Sequence, residues 1–121
     1  MKEIANTSRY SLYFLPEKNR FYLTILGHWK TPDEVPRYLG DWQRALTLCK
    51  PGFTILADIR KMYNHPPEVV QQVHLKAQKI LIEAGLLRTV DVVPKNMLAE
   101  AQVDAIAKIS KMPKDKFFTV E

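Results

Sequence analysis

Phe53-Thr54-Ile55-Leu56-Ala57-Asp58-Ile59 is a short, largely apolar run, bracketed by Lys50-Pro51-Gly52 and by Arg60. It is too short for a helix and has no clean alternation, which predicts a strand covered on both faces. Strands buried that way belong to sheets flanked by helices, so the run points to an α/β fold. Sheets of this class place their working surface at the ends of such strands. Asp58 and Arg60 therefore mark where a site is expected, without saying what it does.

The flanking sequence extends the reading. Residues 9–15 alternate, with Tyr10, Leu12 and Phe14 on one face, and residues 20–26 alternate through Phe21, Leu23 and Ile25. Pro16-Glu17-Lys18-Asn19 connects them, so the two runs predict an antiparallel hairpin. Residues 1–8 are polar and mixed and read as a loosely held lead-in. Thr31-Pro32-Asp33-Glu34 is a helix-start signature, and Pro36 favours a start near Asp33. Val35, Leu39, Trp42, Leu46 and Cys49 then recur at helical spacing.

Pro66-Pro67-Glu68 opens a second helix, with Val69, Val70, Val73, Ala77, Ile80, Leu81 and Ala84 as its apolar stripe and Gly85 as its stop. Residues 87–93 predict a strand. Asn96 caps a third helix carrying Leu98, Ala101, Ala105, Ile106 and Ile109, and residues 117–120 predict a last strand. The order β-β-α-β-α-β-α-β implies one domain over residues 1–121, a mixed sheet of about five strands with a leading hairpin and parallel strands joined by right-handed crossovers.

Composition narrows the classes of function. No apolar run approaches the ~20 residues needed to span a bilayer, and a signal-peptide core is lacking, so a cytoplasmic location is expected. The single Cys49 excludes an internal disulfide and a Cys-rich zinc site, and it reads as a packing residue. Net charge is +5, which solubility explains as well as an anionic partner does. Lys108, Lys111, Lys114 and Lys116 form the one dense basic cluster, read as a solvated helix end. Interleaved arginines and exposed aromatics are not evident, so nucleic acid is not an expected partner.

The candidate site is the segment after the strand: Asp58, Arg60, Lys61, Tyr63, Asn64 and His65. Beside a helix N-terminus, its basic and amide groups suit an anion or a protein partner. The plainer reading has Asp58 capping backbone N–H groups, with Arg60 and Lys61 solvated. His65 and His74 are nine residues apart across a helix start, which does not match an i,i+4 ligand pair, so no metal is expected. His74 reads as a surface residue, and His28 as a loop residue without an evident partner. Asp91 stands in an apolar strand, where exposure or pairing with Arg88 would avoid an uncompensated buried charge. No nucleophile–base pair, phosphate loop or paired carboxylates occur at usable spacing. Neither an enzyme nor a cofactor is expected.

Tyr10, Tyr13, Phe14, Phe21, Tyr22, Trp29, Trp42 and Tyr63 are mostly core candidates, although a pocket lined by several would suit an apolar ligand. The leading hairpin, Gly27 with Thr31-Pro32-Asp33, and Gly52-Phe53-Thr54-Ile55-Leu56-Ala57-Asp58 resemble the STAS family. The closer likeness is to small bacterial proteins similar to the stage-II sporulation anti-sigma-factor antagonists. There the third strand ends in an aspartate, a Pro-Glu-initiated helix follows, and a Gly-x-x-Arg segment precedes the next strand. Here these features are Asp58, Pro67-Glu68 and Gly85-Leu86-Leu87-Arg88.

The resemblance implies a non-catalytic regulatory or binding module that docks a protein partner or a small apolar or anionic ligand after the third strand. Phospho-switch members carry a serine or threonine there, whereas residues 59–65 contain none, so the acceptor is not carried over. Nor is any partner surface carried over from the last helix that relatives have beyond this point. Because the fold resembles CRAL-TRIO lipid carriers, the alternative is a carrier or sensor of a nonpolar ligand with peripheral membrane contact. A homodimer is compatible with either reading.

Overall fold

The structure is a computed structural model that describes residues 1–93, 106, 108 and 113–118, the last five of these by their backbone. Six strands form one sheet in the order β1-β2-β3-β4-β5-β6: β1 Lys2–Asn6, β2 Tyr10–Leu15, β3 Arg20–Gly27, β4 Thr54–Met62, β5 Arg88–Val93 and β6 Lys114–Phe118. β2 pairs antiparallel with both β1 and β3, and β3 through β6 run parallel. The α/β class, the hairpin and the parallel strands follow the sequence reading. The strand count does not, because residues 2–6 pair with β2 instead of forming a loose lead-in.

Alternation explains the hairpin. Tyr10, Leu12 and Phe14 face Ile25, Leu23 and Phe21 in register, all buried, while Asn19 makes the turn at φ 50°. Asparagine tolerates that left-handed conformation because its amide can bond locally. Here the Asn19 amide donates to the Lys50 carbonyl at 3.0 Å and accepts from the Lys50 N–H at 3.0 Å, tying the turn to the segment that follows the first helix.

That helix, α1, spans Tyr38–Leu46. It starts later than Asp33, since residues 32–34 form a separate 3₁₀ turn. Tyr38, Asp41, Trp42 and Ala45 are its buried face. The Tyr10 hydroxyl donates to Asp41 Oδ2 at 2.6 Å, and Arg44 pairs with Asp41 Oδ1 at 3.0 Å. Burial and the adjacent Asp41 carboxylate push the Tyr10 phenol well above its ordinary range. Arg44 also donates to the Ile4 carbonyl at 2.8 Å, which holds β1 against the body. Phe21 sits at the centre of the core, 4.7 Å from Phe14, 5.3 Å from Trp42 and 5.6 Å from Phe53 between ring centroids.

The second helical segment has three parts: α2 over Pro67–Val69, a π-helical turn over Val70–His74, and α3 over Leu75–Glu83. In a regular α-helix, residues five apart diverge by about 140°. An i→i+5 turn brings them back toward one face. That is why Val69, Val73 and His74 are all buried together with Ala77 and Leu81.

Neighbours in the sheet are also neighbours in sequence, so the parallel connections all step the same way. Right-handed crossovers then put the described connecting helices on one face. Burial agrees: Ile55, Ala57 and Ile59 are buried, while Thr54, Leu56 and Asp58 are only half-buried. The expectation that β4 is covered on both faces is therefore corrected. Tyr22, Leu56 and Val90 form a row on the second face, which no described helix covers. Of the third helix, Ile106 and Lys108 are described, both helical, and the rest lies outside the described residues.

Candidate functional site

Asp58 to Met62 belong to β4 and not to a loop. Between Asp58 and Lys61 the register with β3 slips, so two β4 residues, Ile59 and Arg60, stand against Ile25 alone. A bulge of this kind interrupts alternation and re-aims side chains. Arg60 and Lys61 both point outward, and Met62 returns to the core. Asp58 closes the bulge. Its Oδ1 accepts from the Arg60 backbone N–H at 3.1 Å and from Arg60 Nε at 3.0 Å, and its Oδ2 accepts from Arg60 Nη2 at 2.8 Å. Hydrogen bonding by Arg60 holds the Asp58 carboxyl below its usual value. This is the plainer role expected for Asp58, with Arg60 clamped on it.

The remaining candidates separate. Lys61, Tyr63 and Asn64 are exposed, Tyr63 by 64%. His65 turns inward, buried at 3%. The structure thus joins Asp58 to Arg60 on one side of the sheet and sends His65 to the other.

There His65 meets His74, Nδ1 to Nε2 at 2.7 Å, with the rings stacked 9° from parallel. Trp29 lies against both, 4.8 Å and 5.2 Å between centroids, its indole N–H donating to the Leu26 carbonyl at 3.1 Å. The proton positions follow from the partners. The Gly27 carbonyl can only accept, so His65 Nε2, 3.1 Å away, carries the hydrogen. Burial pushes the His65 imidazole down to about 4, outweighing the Gly27 contact, so the ring is neutral near pH 7 and its Nδ1 holds a lone pair. His74 Nε2 is therefore the donor between the two rings. His28 bonds the Asn64 carbonyl through Nδ1 and so has a partner.

Two expectations are overturned here. His74 is buried, since it continues the stripe of Ala77 and Leu81 and the π turn carries it inward. Asp91 is buried at 2% and not exposed, because strand alternation places it with Thr89 and Val93 on the helix-covered face.

Between this face and α3 lies a cavity of about 70 Å³. Leu23, Ile25, Ile55, Ala57 and Ile59 form its floor, and Ala77 and Leu81 its roof. His74, Gln78, Thr89 and Asp91 supply polar atoms to an otherwise apolar wall. The Thr89 hydroxyl has no hydrogen-bond partner among the described residues. Among the described aromatic residues Tyr38 lines the space, its phenol pushed up to about 12 by burial. Tyr38 was not among the aromatics singled out from the sequence, and those pack on one another or lie outside the core.

Two signals in the sequence could have found the cavity's polar groups. His74 stands three and seven residues before Ala77 and Leu81, and Thr89, Asp91 and Val93 alternate. Among the described residues no group of three or more His, Cys, Asp and Glu side chains could hold a metal, and no helix is long and apolar enough to cross a membrane. Burial raises the Cys49 thiol, which suits packing better than reactivity. Lys108 is exposed, and the Lys111, Lys114 and Lys116 side chains lie outside the described residues. Comparison with models of known families, with curated proteins and with solved structures finds no match to this chain.

Proposed function

We propose that this chain is a non-catalytic binding module of STAS-like type that holds a small, predominantly apolar ligand between its sheet and α3. The observation that carries the reading is the cavity: about 70 Å³, walled mainly by aliphatic side chains with a few polar groups among them. Sites for small molecules have that composition. The STAS-like part draws on the leading hairpin followed by parallel strands and on the aspartate of β4. The bulge after Asp58 supports a structural role for the Asp58–Arg60 pair, because each already satisfies the other. Docking of a protein at Lys61, Tyr63 and Asn64 is the second reading, favoured by the aromatic ring of Tyr63 left largely in solvent.

Methyl-detected NMR tests the first reading. Titration with 1-chlorobutane, a small apolar probe, is expected to shift the methyls of Ile25, Ile55, Ile59, Ala77 and Leu81. Ala77→Phe, which fills the space from the roof, is expected to abolish those shifts. Shifts confined to the second face of the sheet, or none at all, would defeat the proposal.

A further inference from the structure

The sheet face turned away from the described helices has an order of its own. Strand register places Tyr13, Tyr22, Leu56 and Val90 in one row across β2 to β5, each half-buried. Arg20 and Thr54 stand in the row before it, at the starts of the parallel strands, and Thr24 and Asp58 in the row after it. Basic and acidic charge thus lie on opposite sides of an apolar and aromatic stripe. At its described position the third helix does not cover that stripe, because Ile106 is buried and lines the cavity on the other face.

The arrangement is self-complementary. A second copy laid face to face, related by a two-fold axis running along the stripe, has its strands antiparallel to the first. The stripe then meets itself, with Leu56 opposite its own counterpart. The outer rows exchange, so the Arg20 row of each copy lies over the Asp58 row of the other. An axis parallel to the strands would instead set each charged row against its like, which repulsion opposes. Arg20 spends one of its five N–H donors on Thr54 Oγ1 at 3.2 Å, and Asp58 is partly exposed and held ionised by Arg60. Glu3, across from Tyr13 on the edge strand, would meet its counterpart at the rim, where water and salt screen the repulsion. The acidic row also disfavours a single-stranded nucleic acid, the other occupant that tyrosines on an open sheet would suit.

Aligned sheets pack about 10 Å apart, a gap that tyrosine and leucine side chains from two faces fill. Six strands spaced ~4.8 Å apart, the shortest of 5 residues, offer on the order of 500 Å² per copy. Two such faces bury about 1,000 Å², the lower end for specific interfaces, so the association is weak. We propose that this face is the interface of a homodimer whose two-fold axis follows the row from Tyr13 to Val90. The reading is independent of the cavity, which lies on the opposite face and stays intact in each copy.

Sedimentation equilibrium of the full chain tests it. The average mass is expected to be that of one chain at about 1 µM and to approach that of two at about 1 mM, the range suited to so small an interface. Leu56→Glu and Leu56→Lys each set like charges across the axis, and each alone is expected to stay a single chain at the higher concentration. Mixed in equal amounts they are expected to regain the two-chain mass, because glutamate then faces lysine. Tyr22→Glu with Tyr22→Lys repeats the exchange one strand away in case a Leu56 variant folds poorly, and circular dichroism checks the fold of all four. A native chain that stays single at the higher concentration, variants that still self-associate, or a mixture of folded variants that does not recover would overturn the proposal. Saturable binding of oligouridylate by the native chain, lost in Leu56→Glu, would overturn it in favour of a nucleic-acid platform.

Discussion

His65 makes the stability of this protein depend on pH in a definite direction. Its folded-state value is about 4, below the ordinary 6.5, because burial disfavours the imidazolium. Between those values the unfolded chain binds the proton and the folded chain does not, so acid favours unfolding. The contribution is fully present above about pH 6.5 and is lost as pH falls toward 4. It amounts to roughly 3 kcal/mol at most. Asp58 acts in a lower window, because its value is depressed from 3.8 and its share is lost only as pH falls through the carboxylate range. Urea midpoints are expected to fall between pH 7 and pH 5 in the native sequence. His65→Asn is expected to flatten that dependence, and an unchanged slope would remove His65 from the account.

At the scale of elements, Gly85 marked the end of α3 in the sequence whereas the start of α1 was misplaced, and two glycines separate backbone strain from helix propensity. Gly85 ends α3 at φ +97°, and a Cβ there would stand 2.9 Å from Pro51 Cβ. Its carbonyl also accepts from the Gly52 N–H at 2.7 Å, so the backbone cannot easily retreat. Gly40 lies within α1 on an exposed position with nothing near a prospective Cβ. Gly85→Ala is expected to destabilise by about 2 kcal/mol or more, from the left-handed conformation together with the close contact. Gly40→Ala is expected to stabilise by roughly 0.5–1 kcal/mol through helix propensity and a stiffer unfolded chain. Equilibrium denaturation of the two variants checks both signs.

The same scale shows what local pattern could not reveal. Tyr10, Leu12 and Phe14 against Phe21, Leu23 and Ile25 identified the hairpin, because alternation is a property of neighbouring residues. Lys2–Asn6 escaped notice because an edge strand has no apolar period of its own and depends on tertiary ties such as Arg44 to Ile4. The π turn was hidden for a related reason. It adds no unusual residue type and shows only in the joint burial of Val69, Val73 and His74. The pairing of His65 with His74 depends on that turn, so two histidines read as unrelated proved to be bonded.

For the whole molecule, the decisive fact is that the described helices occupy one side of the sheet. An apolar residue on β4 does not show from sequence which side it faces, and Leu56 looks as buried as Ile55. The strand order supplies the missing information, since stepping in one direction leaves the other face without a helical layer among the described residues. Ile55→Thr is therefore expected to cost roughly 2 kcal/mol or more, from lost packing and a buried hydroxyl. Leu56→Thr is expected to cost under about 1 kcal/mol, since threonine suits an open sheet position. Comparable costs in chemical denaturation would restore the two-sided strand.

The ring stack at the end of β3 makes the protein self-reporting. Trp42 lies edge-on to Phe21 in the hydrocarbon interior, whereas Trp29 lies flat against His65, which takes up a proton in acid, and against His74. An imidazolium stacked on an indole withdraws excited-state electron density, and a neutral imidazole does so far less. The emission of one tryptophan should therefore follow loss of the core and that of the other protonation of His65, so two events that stability measurements merge become optically distinct.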